Sequence, residues 1–68
     1  MILFTAPDCA GCDRVKARLH FDQIVDISTD KGFEHAQRLR VRSVPTVVHR
    51  DIMIVGEKAI IERFVEKL

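Results

Sequence analysis

Two cysteines separated by two residues, Cys9 and Cys12, stand where the chain changes from an apolar run into a segment rich in helix formers. The apolar run covers residues 1–4 and the helix-forming segment covers residues 13–19. Thiols at this spacing can close a small disulfide ring, and the N–H groups and partial positive charge of a helix N-terminus favour a thiolate. Because a thiolate attacks disulfides at neutral pH, the motif predicts a redox-active pair at a strand-to-helix junction.

The length of the chain limits it to a single domain, which we expect to span residues 1–68. Cysteines only three positions apart constrain an unfolded chain little, so they would be a weak staple for a secreted protein, and we expect a cytoplasmic one. No apolar run approaches the roughly 20 residues that span a bilayer, which argues against a membrane partner. The net charge of +1 argues against a nucleic-acid partner. We also expect a monomer.

Hydrophobic periodicity predicts the element order β-α-β-α-β-β-α. The strands are expected at residues 1–5, 24–27, 46–49 and 52–55, and the helices at residues 10–19 or 10–20, at residues 33–40 and after Gly56. The side chains expected to face inward are Val15 and Leu19 in the first helix, with Ala17 as a further candidate, then Phe33, Ala36 and Leu39 in the second, and Ile60, Ile61, Phe64, Val65 and Leu68 in the third. A βαβ crossover and a terminal hairpin give a four-stranded mixed sheet with helices on both faces, which is compatible with several α/β folds.

Val44 and Pro45 lie immediately before the third predicted strand. Proline cannot donate a hydrogen bond to a sheet, so the simpler interpretation is a proline that marks strand entry. The more specific interpretation is a loop with a cis bond before Pro45, which lies against the cysteines and presents the Val44 backbone to an incoming disulfide-bearing chain, as an added strand would. The conjunction with the cysteine motif favours the second interpretation, and we place Pro7, Val44, Pro45 and Thr46 in a substrate-binding surface.

Three features together resemble the thioredoxin fold: the strand–Cys9-x-x-Cys12–helix junction, the Val-Pro segment 43–46 before a hairpin, and an amphipathic closing helix. The chain is similar to the short form of this fold found in glutaredoxins, and residues 4–12 and 25–28 look most like the NrdH-type redoxins. The resemblance implies a four-stranded sheet flanked by three helices. It also implies a small thiol–disulfide oxidoreductase that reduces protein disulfides by dithiol exchange, with ribonucleotide reductase as a candidate electron acceptor.

The electron donor separates the two families to which the chain is similar. Glutathione-binding members carry a pair of aspartates after the glycine of the fourth strand, and these hold the ammonium group of the tripeptide. Around that place this chain has Lys58 and Ala59, with Glu57 as the only acid. We therefore expect a thioredoxin-reductase-type flavoenzyme as donor, with a glutathione-dependent glutaredoxin as the alternative.

The two cysteines are expected to have different roles. Cys9 lies at or before the helix start and closer to solvent, which favours it as the nucleophile, whereas Cys12 lies one turn further and fits the resolving role. Asp8 would oppose a Cys9 thiolate if its carboxylate pointed at the sulfur, but it can turn to solvent, so we expect the helix dipole to dominate. Apart from the Cys9–Cys12 disulfide we expect no cofactor. The alternative is a structural thiol pair without a redox role.

Arg40, Arg42 and Glu57 are candidate contacts for a partner. Together with Arg38, the two arginines run from the second predicted helix towards the Pro45 loop. A run of like charges is more often a solvated face than a binding patch, so both interpretations stay open.

A metal-binding chaperone module is the alternative from a different functional class, because such proteins also place a CxxC between a first strand and a first helix. They typically carry a methionine where this chain has Pro7, and they follow the first helix with two consecutive strands. Cys9 and Cys12 would supply two zinc ligands, but the chain offers no obvious second pair. We therefore expect no metal site.

Overall fold

The computed structural model describes residues 1–65 and confirms the predicted element order. The elements are β1 Ile2–Thr5, α1 Ala10–Arg18, β2 Gln23–Asp26, α2 Asp30–Arg38, β3 Thr46–His49, β4 Ile52–Val55 and α3 Glu57–Phe64. Strands β3 and β4 have the predicted bounds, and β1 and α1 differ from the prediction by one or two residues at an end. Among the residues described, no helix is long and apolar enough to cross a bilayer.

Helix α2 begins three residues earlier than predicted because Thr29 caps it. The Thr29 hydroxyl oxygen accepts a hydrogen bond from the Gly32 N–H at 3.0 Å, which satisfies one of the donors left free at a helix N-terminus. Gly32 therefore lies inside the first helical turn and not in the loop before it. A side chain at Gly32 would collide with the Asp26 carbonyl, so glycine lets the helix start directly over the end of β2.

Strand β2 lies one residue earlier in the chain than predicted, at Gln23–Asp26. The Asp26 carboxylate accepts hydrogen bonds from the Ser28 N–H at 2.8 Å and from the Ser28 hydroxyl at 2.6 Å. This side-chain turn diverts the chain away from the sheet after Asp26. Helix α2 also ends earlier than predicted, at Arg38.

The sheet is mixed, with the strand order β2-β1-β3-β4. Strand β1 is parallel to β2 and antiparallel to β3, which pairs with β4 in the terminal hairpin. With three helices flanking four strands in this order, the architecture is the α/β thioredoxin fold in its short, glutaredoxin-like form.

Successive residues of the central strand β1 point to opposite faces of the sheet, so the protein has two small cores. Leu3 packs with Val15 of α1, Val47 of β3 and Ile60 of α3 on one face. On the other face, Phe4 packs in a second cluster with three more residues: Val25, Ala36 and Val41. Leu3 and Phe4 are both completely buried, and burial of each such side chain stabilises the fold by about 1.5–3 kcal/mol.

The inward-facing residues of α1 and α3 are predicted correctly in large part. In α1, Val15 is buried and Leu19 is half-buried against the first core, but the further candidate Ala17 is exposed. In α3, Ile60 is buried, and the half-buried residues are Ile61, Phe64 and Val65. The predicted position of Leu68 lies outside the described residues.

The apolar stripe predicted for α2 is wrong at two of its three positions. Ala36 is buried, but Phe33 and Leu39 are exposed, with 53% and 36% of their surface accessible. The helix instead packs through Gly32 and Ala36, two small residues four positions apart on one helical face. Phe33, the neighbour of Gly32, belongs to neither of the two core clusters.

Candidate redox-active site

The two cysteines lie at the N-terminus of α1 and are joined as a disulfide, with their Cα atoms 5.2 Å apart. Cys9 is the N-cap residue, with an extended backbone, and Cys12 lies in the first turn of the helix. A separation of three residues brings both sulfurs to the same side of the helix start. Cys12 is completely buried, whereas Cys9 is partly exposed, so the two sulfurs differ in their access to solvent.

The Cys9 sulfur takes the place that an oxygen usually occupies in a helix N-cap. It accepts a hydrogen bond from the Cys12 N–H at 3.1 Å, and the Cys9 carbonyl accepts one from the Asp13 N–H. Because the Cys12 N–H belongs to the positive end of the helix dipole, it would stabilise negative charge on the Cys9 sulfur in the reduced protein.

The turn before the cysteines is formed by exposed residues. Asp8 has a left-handed backbone with φ of 59°, a conformation that aspartate tolerates better than most residues. The side chains of Asp8 and Pro7 are both exposed, so Pro7 is accessible to a substrate and the Asp8 carboxylate lies in contact with solvent.

The loop before β3 lies directly against the cysteine motif. The Val44–Pro45 peptide bond is cis, as predicted, and Pro45 is buried. A Cβ atom placed on Gly11, between the two cysteines, would stand 3.6 Å from Pro45 Cδ. The Pro45 carbonyl accepts a hydrogen bond from the Gly56 N–H at 2.9 Å, which fixes the loop to the start of α3.

The four residues predicted for the substrate-binding surface differ in accessibility. Val44 is half-buried and packs on the second core, beside the exposed end of the loop. Thr46 has only 1% of its surface accessible, and its hydroxyl donates a hydrogen bond to the Ser43 carbonyl at 2.7 Å. The Thr46 side chain therefore holds the loop in shape and is not presented to a partner.

Arg14 and Glu57 form an ion pair beside the cysteines that the sequence does not predict. The Glu57 carboxylate, at the start of α3, accepts hydrogen bonds from Arg14 Nε at 2.5 Å and from Arg14 Nη2 at 2.7 Å. The hydrogen bond from Arg14 lowers the pKa of Glu57, and the same contact raises the pKa of Arg14. Glu57 Oε1 would lie 3.3 Å from a Cβ atom on Gly11, so the carboxylate lies alongside the cysteine motif.

The sequence gives no local signal for this pair, because Arg14 and Glu57 are 43 positions apart and belong to different helices. Glu57 was predicted as a candidate partner contact. In the structure its carboxylate is already engaged by a guanidinium.

The two arginines predicted as partner contacts lie in the segment between α2 and β3. Arg40 and Arg42 are exposed, and within residues 1–65 neither forms an ion pair. They line an open groove of about 440 Å³ together with Gln37 and four apolar residues: Ile27, Phe33, Ala36 and Val41.

No group of three or more His, Cys, Asp or Glu side chains within the described part of the chain is arranged to hold a metal ion. The three histidines lie on separate elements, and His35 packs edge-on against the Phe4 ring with 5.2 Å between centroids. Helix α2 follows β2 directly, unlike the two consecutive strands expected for the metal-binding chaperone alternative.

Comparison of the chain with models of protein families, with curated proteins and with solved structures finds no match.

Proposed function

We propose that this protein is a small thiol–disulfide oxidoreductase, similar to the NrdH-type redoxins, which reduces disulfides in other proteins through Cys9 and Cys12. The observation that carries the proposal is the asymmetry of the two sulfurs at the N-terminus of α1. Cys9 is partly exposed and hydrogen-bonded by a helix N–H group, whereas Cys12 is completely buried beside it. Such an arrangement suits one attacking thiolate and one resolving thiol.

The reaction consists of two thiol–disulfide exchanges. The Cys9 thiolate attacks one sulfur of the substrate disulfide, the substrate S–S bond breaks, and the released substrate thiolate takes a proton from solvent. Cys12 then loses its proton and attacks the Cys9 sulfur of the mixed disulfide, which releases the second substrate thiolate. The substrate gains two electrons, and the protein is left with the Cys9–Cys12 disulfide.

The loop at residues 43–46 supplies the docking surface for the substrate chain. It lies against Gly11 of the cysteine motif, and because the Pro45 carbonyl is already bonded to the Gly56 N–H, we assign the docking contact to the backbone of Val44. We propose that the substrate lies across Val44 in an extended conformation, as in β-strand addition, and that the exposed Pro7 also contacts it.

The proposed electron donor is a thioredoxin-reductase-type flavoenzyme. Glutathione needs an anionic partner for its ammonium group, and Glu57 is the acid nearest the cysteines on α3. Because Arg14 already holds Glu57 through two hydrogen bonds, a glutathione ammonium would have to displace a guanidinium. The neighbouring Lys58 is exposed and would repel the same ammonium.

The resemblance to NrdH-type redoxins makes ribonucleotide reductase a candidate acceptor. We also propose a cytoplasmic location, because a closely spaced reactive cysteine pair suits a compartment in which thiol reductases keep dithiols reduced.

The test is reduction of a disulfide in a model protein by the reduced chain, measured as thiol release. Stoichiometric release of substrate thiols, with formation of the Cys9–Cys12 disulfide, is expected. Tight retention of one copper(I) ion per chain without thiol release would instead identify a metal-binding module and overturn the proposal.

A further inference from the structure

The groove beside the Pro45 loop combines an apolar floor with positive charge. Ile27, Phe33 and Val41 supply apolar surface, and Phe33 has 53% of its surface accessible. Arg40 and Arg42 also line it, and among residues 1–65 no acidic side chain does. Since the whole chain has a net charge of only +1, the positive charge is a local property of this groove.

Arg40 occupies a backbone position that favours glycine. After α2 ends, the Arg40 N–H donates to the Gln37 carbonyl at 3.1 Å and the Val41 N–H donates to the Ala36 carbonyl at 2.8 Å, the bonding pattern of a Schellman cap. In such a cap the first residue after the C-cap has a left-handed backbone. Here that residue is Arg40, with φ of 63°. This backbone conformation is unfavourable for most residues other than glycine, so an arginine at this position lowers the stability of the fold.

The groove and the redox site lie at the same end of the sheet, because Ile27 of the groove follows β2 and the cysteines follow the parallel strand β1. Val44 packs on the core cluster that contains Ala36 and Val41, both of which line the groove, while its neighbour Pro45 lies against Gly11. On the same side, the Ile27 N–H donates to the Thr5 carbonyl at the end of β1, just before the turn that leads to Cys9. An extended chain that crosses Val44 on its way from Cys9 would therefore enter the groove.

We propose that this groove binds an acidic segment of the substrate protein, next to its reactive disulfide, with an apolar side chain against Phe33 and carboxylates beside Arg40 and Arg42. The proposal rests on the proposed function and names the class of substrate that the site prefers. The positive charge and the accessible apolar floor match such a segment in both charge and polarity. The reduction itself follows the two exchanges already described.

The test compares the reduction of three disulfide-bonded peptides by the full chain, recharged with dithiothreitol. In the acidic peptide, a phenylalanine between two glutamates flanks the cysteines on each side. The neutral peptide has glutamine in place of each glutamate, and the basic peptide has lysine in the same positions. We expect kcat/KM to be about fivefold higher for the acidic than for the neutral peptide, and lowest for the basic one. The preference should shrink as salt is added.

The variants Arg40→Gly and Arg42→Gln remove one cation each from the groove. Each is expected to lower the preference for the acidic peptide, and Arg40→Gly should do so without lowering the unfolding temperature, because glycine suits the left-handed position. Arg50→Gly is the matched control. Arg50 is also exposed and left-handed, with φ of 57°, but it lies in the β3–β4 turn at the far end of the sheet.

The outcomes separate this proposal from the proposed function. If the neutral peptide is reduced and the acidic one is not preferred, or if Arg50→Gly removes the preference as well, the groove proposal is overturned while the redox function stands. If the wild type reduces none of the peptides, the redox function falls.

A cysteine-free acidic peptide, titrated into the isotope-labelled protein, then tests the groove without any redox step. Chemical-shift changes centred on residues 33–42 support the proposal, and changes elsewhere or none overturn it. Displacement of that peptide by free glutathione at similar concentration would assign the groove to the small thiol instead of a protein segment.

Discussion

The Glu57 carboxylate receives two hydrogen bonds from the Arg14 guanidinium and thereby ties the start of α3 to α1 within van der Waals reach of Gly11. Glu57 is the first residue of α3, and Arg14 is the central residue of α1. The pair therefore fixes the position of one helix against the other at the end of the molecule that carries the cysteines.

The pair makes the stability of the protein depend on pH. The pKa of Glu57 is below its ordinary value of 4.5 because of the hydrogen bond from Arg14, so the folded state binds a proton at Glu57 less readily than the unfolded state. The stabilisation is fully present above pH 4.5 and is lost as the pH falls through the folded-state pKa. Asp22 and Asp26, whose pKa values are also lowered, act in the same direction.

Glu57→Gln should therefore lower stability at neutral pH and make the acid limb of the stability curve less steep. Chemical unfolding of the wild type and the variant at a series of pH values between about 3 and 7 measures both effects. Glu62→Gln, on the exposed side of the same helix, is the control and should leave the curve unchanged. Coincident curves for the wild type and Glu57→Gln would show that the ion pair does not contribute to stability.

Gly32→Ala should destabilise the fold, because the new methyl group would collide with the Asp26 carbonyl and stand 2.8 Å from Thr29 Oγ1. Both are parts of the α2 cap and cannot move independently, so we expect a loss of about 3 kcal/mol or more in the free energy of unfolding. Gly11→Ala is the matched control. Its methyl group would stand 3.3 Å from Glu57 Oε1, a contact that a side-chain shift of a few tenths of an ångström relieves, and the gain in helix propensity offsets this crowding. Equal losses in the two variants, measured by urea unfolding, would contradict the packing argument.

The parts of the structure that were predicted from the sequence depend on local signals. The β3–β4 hairpin follows from a β-branched run and a two-residue turn at Arg50 and Asp51, and the structure confirms its bounds. The positions of Cys9 and Cys12 relative to the helix start follow from their place after the first apolar run, and the structure confirms these as well.

The parts that were missed depend on contacts between distant residues. The helix predicted at residues 33–40 leaves Gly32 outside it, because the need for glycine in the first turn comes from the Asp26 carbonyl, six positions earlier in the chain. The Arg14–Glu57 pair joins two helices across 43 positions and leaves no trace in either local sequence. Thr46 was placed in the substrate-binding surface by its position beside Pro45, but only the structure shows its hydroxyl turned to Ser43.

Replacement of each cysteine by serine should give different products. Cys9→Ser is expected to reduce turnover to background, because the accessible sulfur is gone and Cys12 is completely buried. Cys12→Ser should still attack the substrate but cannot resolve the product, so it should accumulate a mixed disulfide through Cys9. Mass spectrometry after mixing with a disulfide-bonded peptide measures the trapped species. Trapping by Cys9→Ser and not by Cys12→Ser would reverse the assigned roles.

The proposed donor is tested by coupling the protein, side by side, to NADPH with a thioredoxin reductase and to glutathione with glutathione reductase. We expect turnover with the flavoenzyme and little with glutathione, because Arg14 occupies the carboxylate of Glu57. Efficient turnover with glutathione and none with the flavoenzyme would overturn the assignment.

Removing Arg14 from the Glu57 carboxylate tests more sharply whether this ion pair excludes glutathione. Arg14→Gln leaves Glu57 free to accept an ammonium group, so glutathione-coupled turnover should rise several-fold over the wild type. The double variant Arg14→Gln/Glu57→Gln has neither the guanidinium nor the carboxylate and should return to the low wild-type rate. A rise in both variants would attribute the effect to the loss of Arg14 itself, for instance through easier access to Cys9. No rise in either would show that the ion pair does not exclude glutathione.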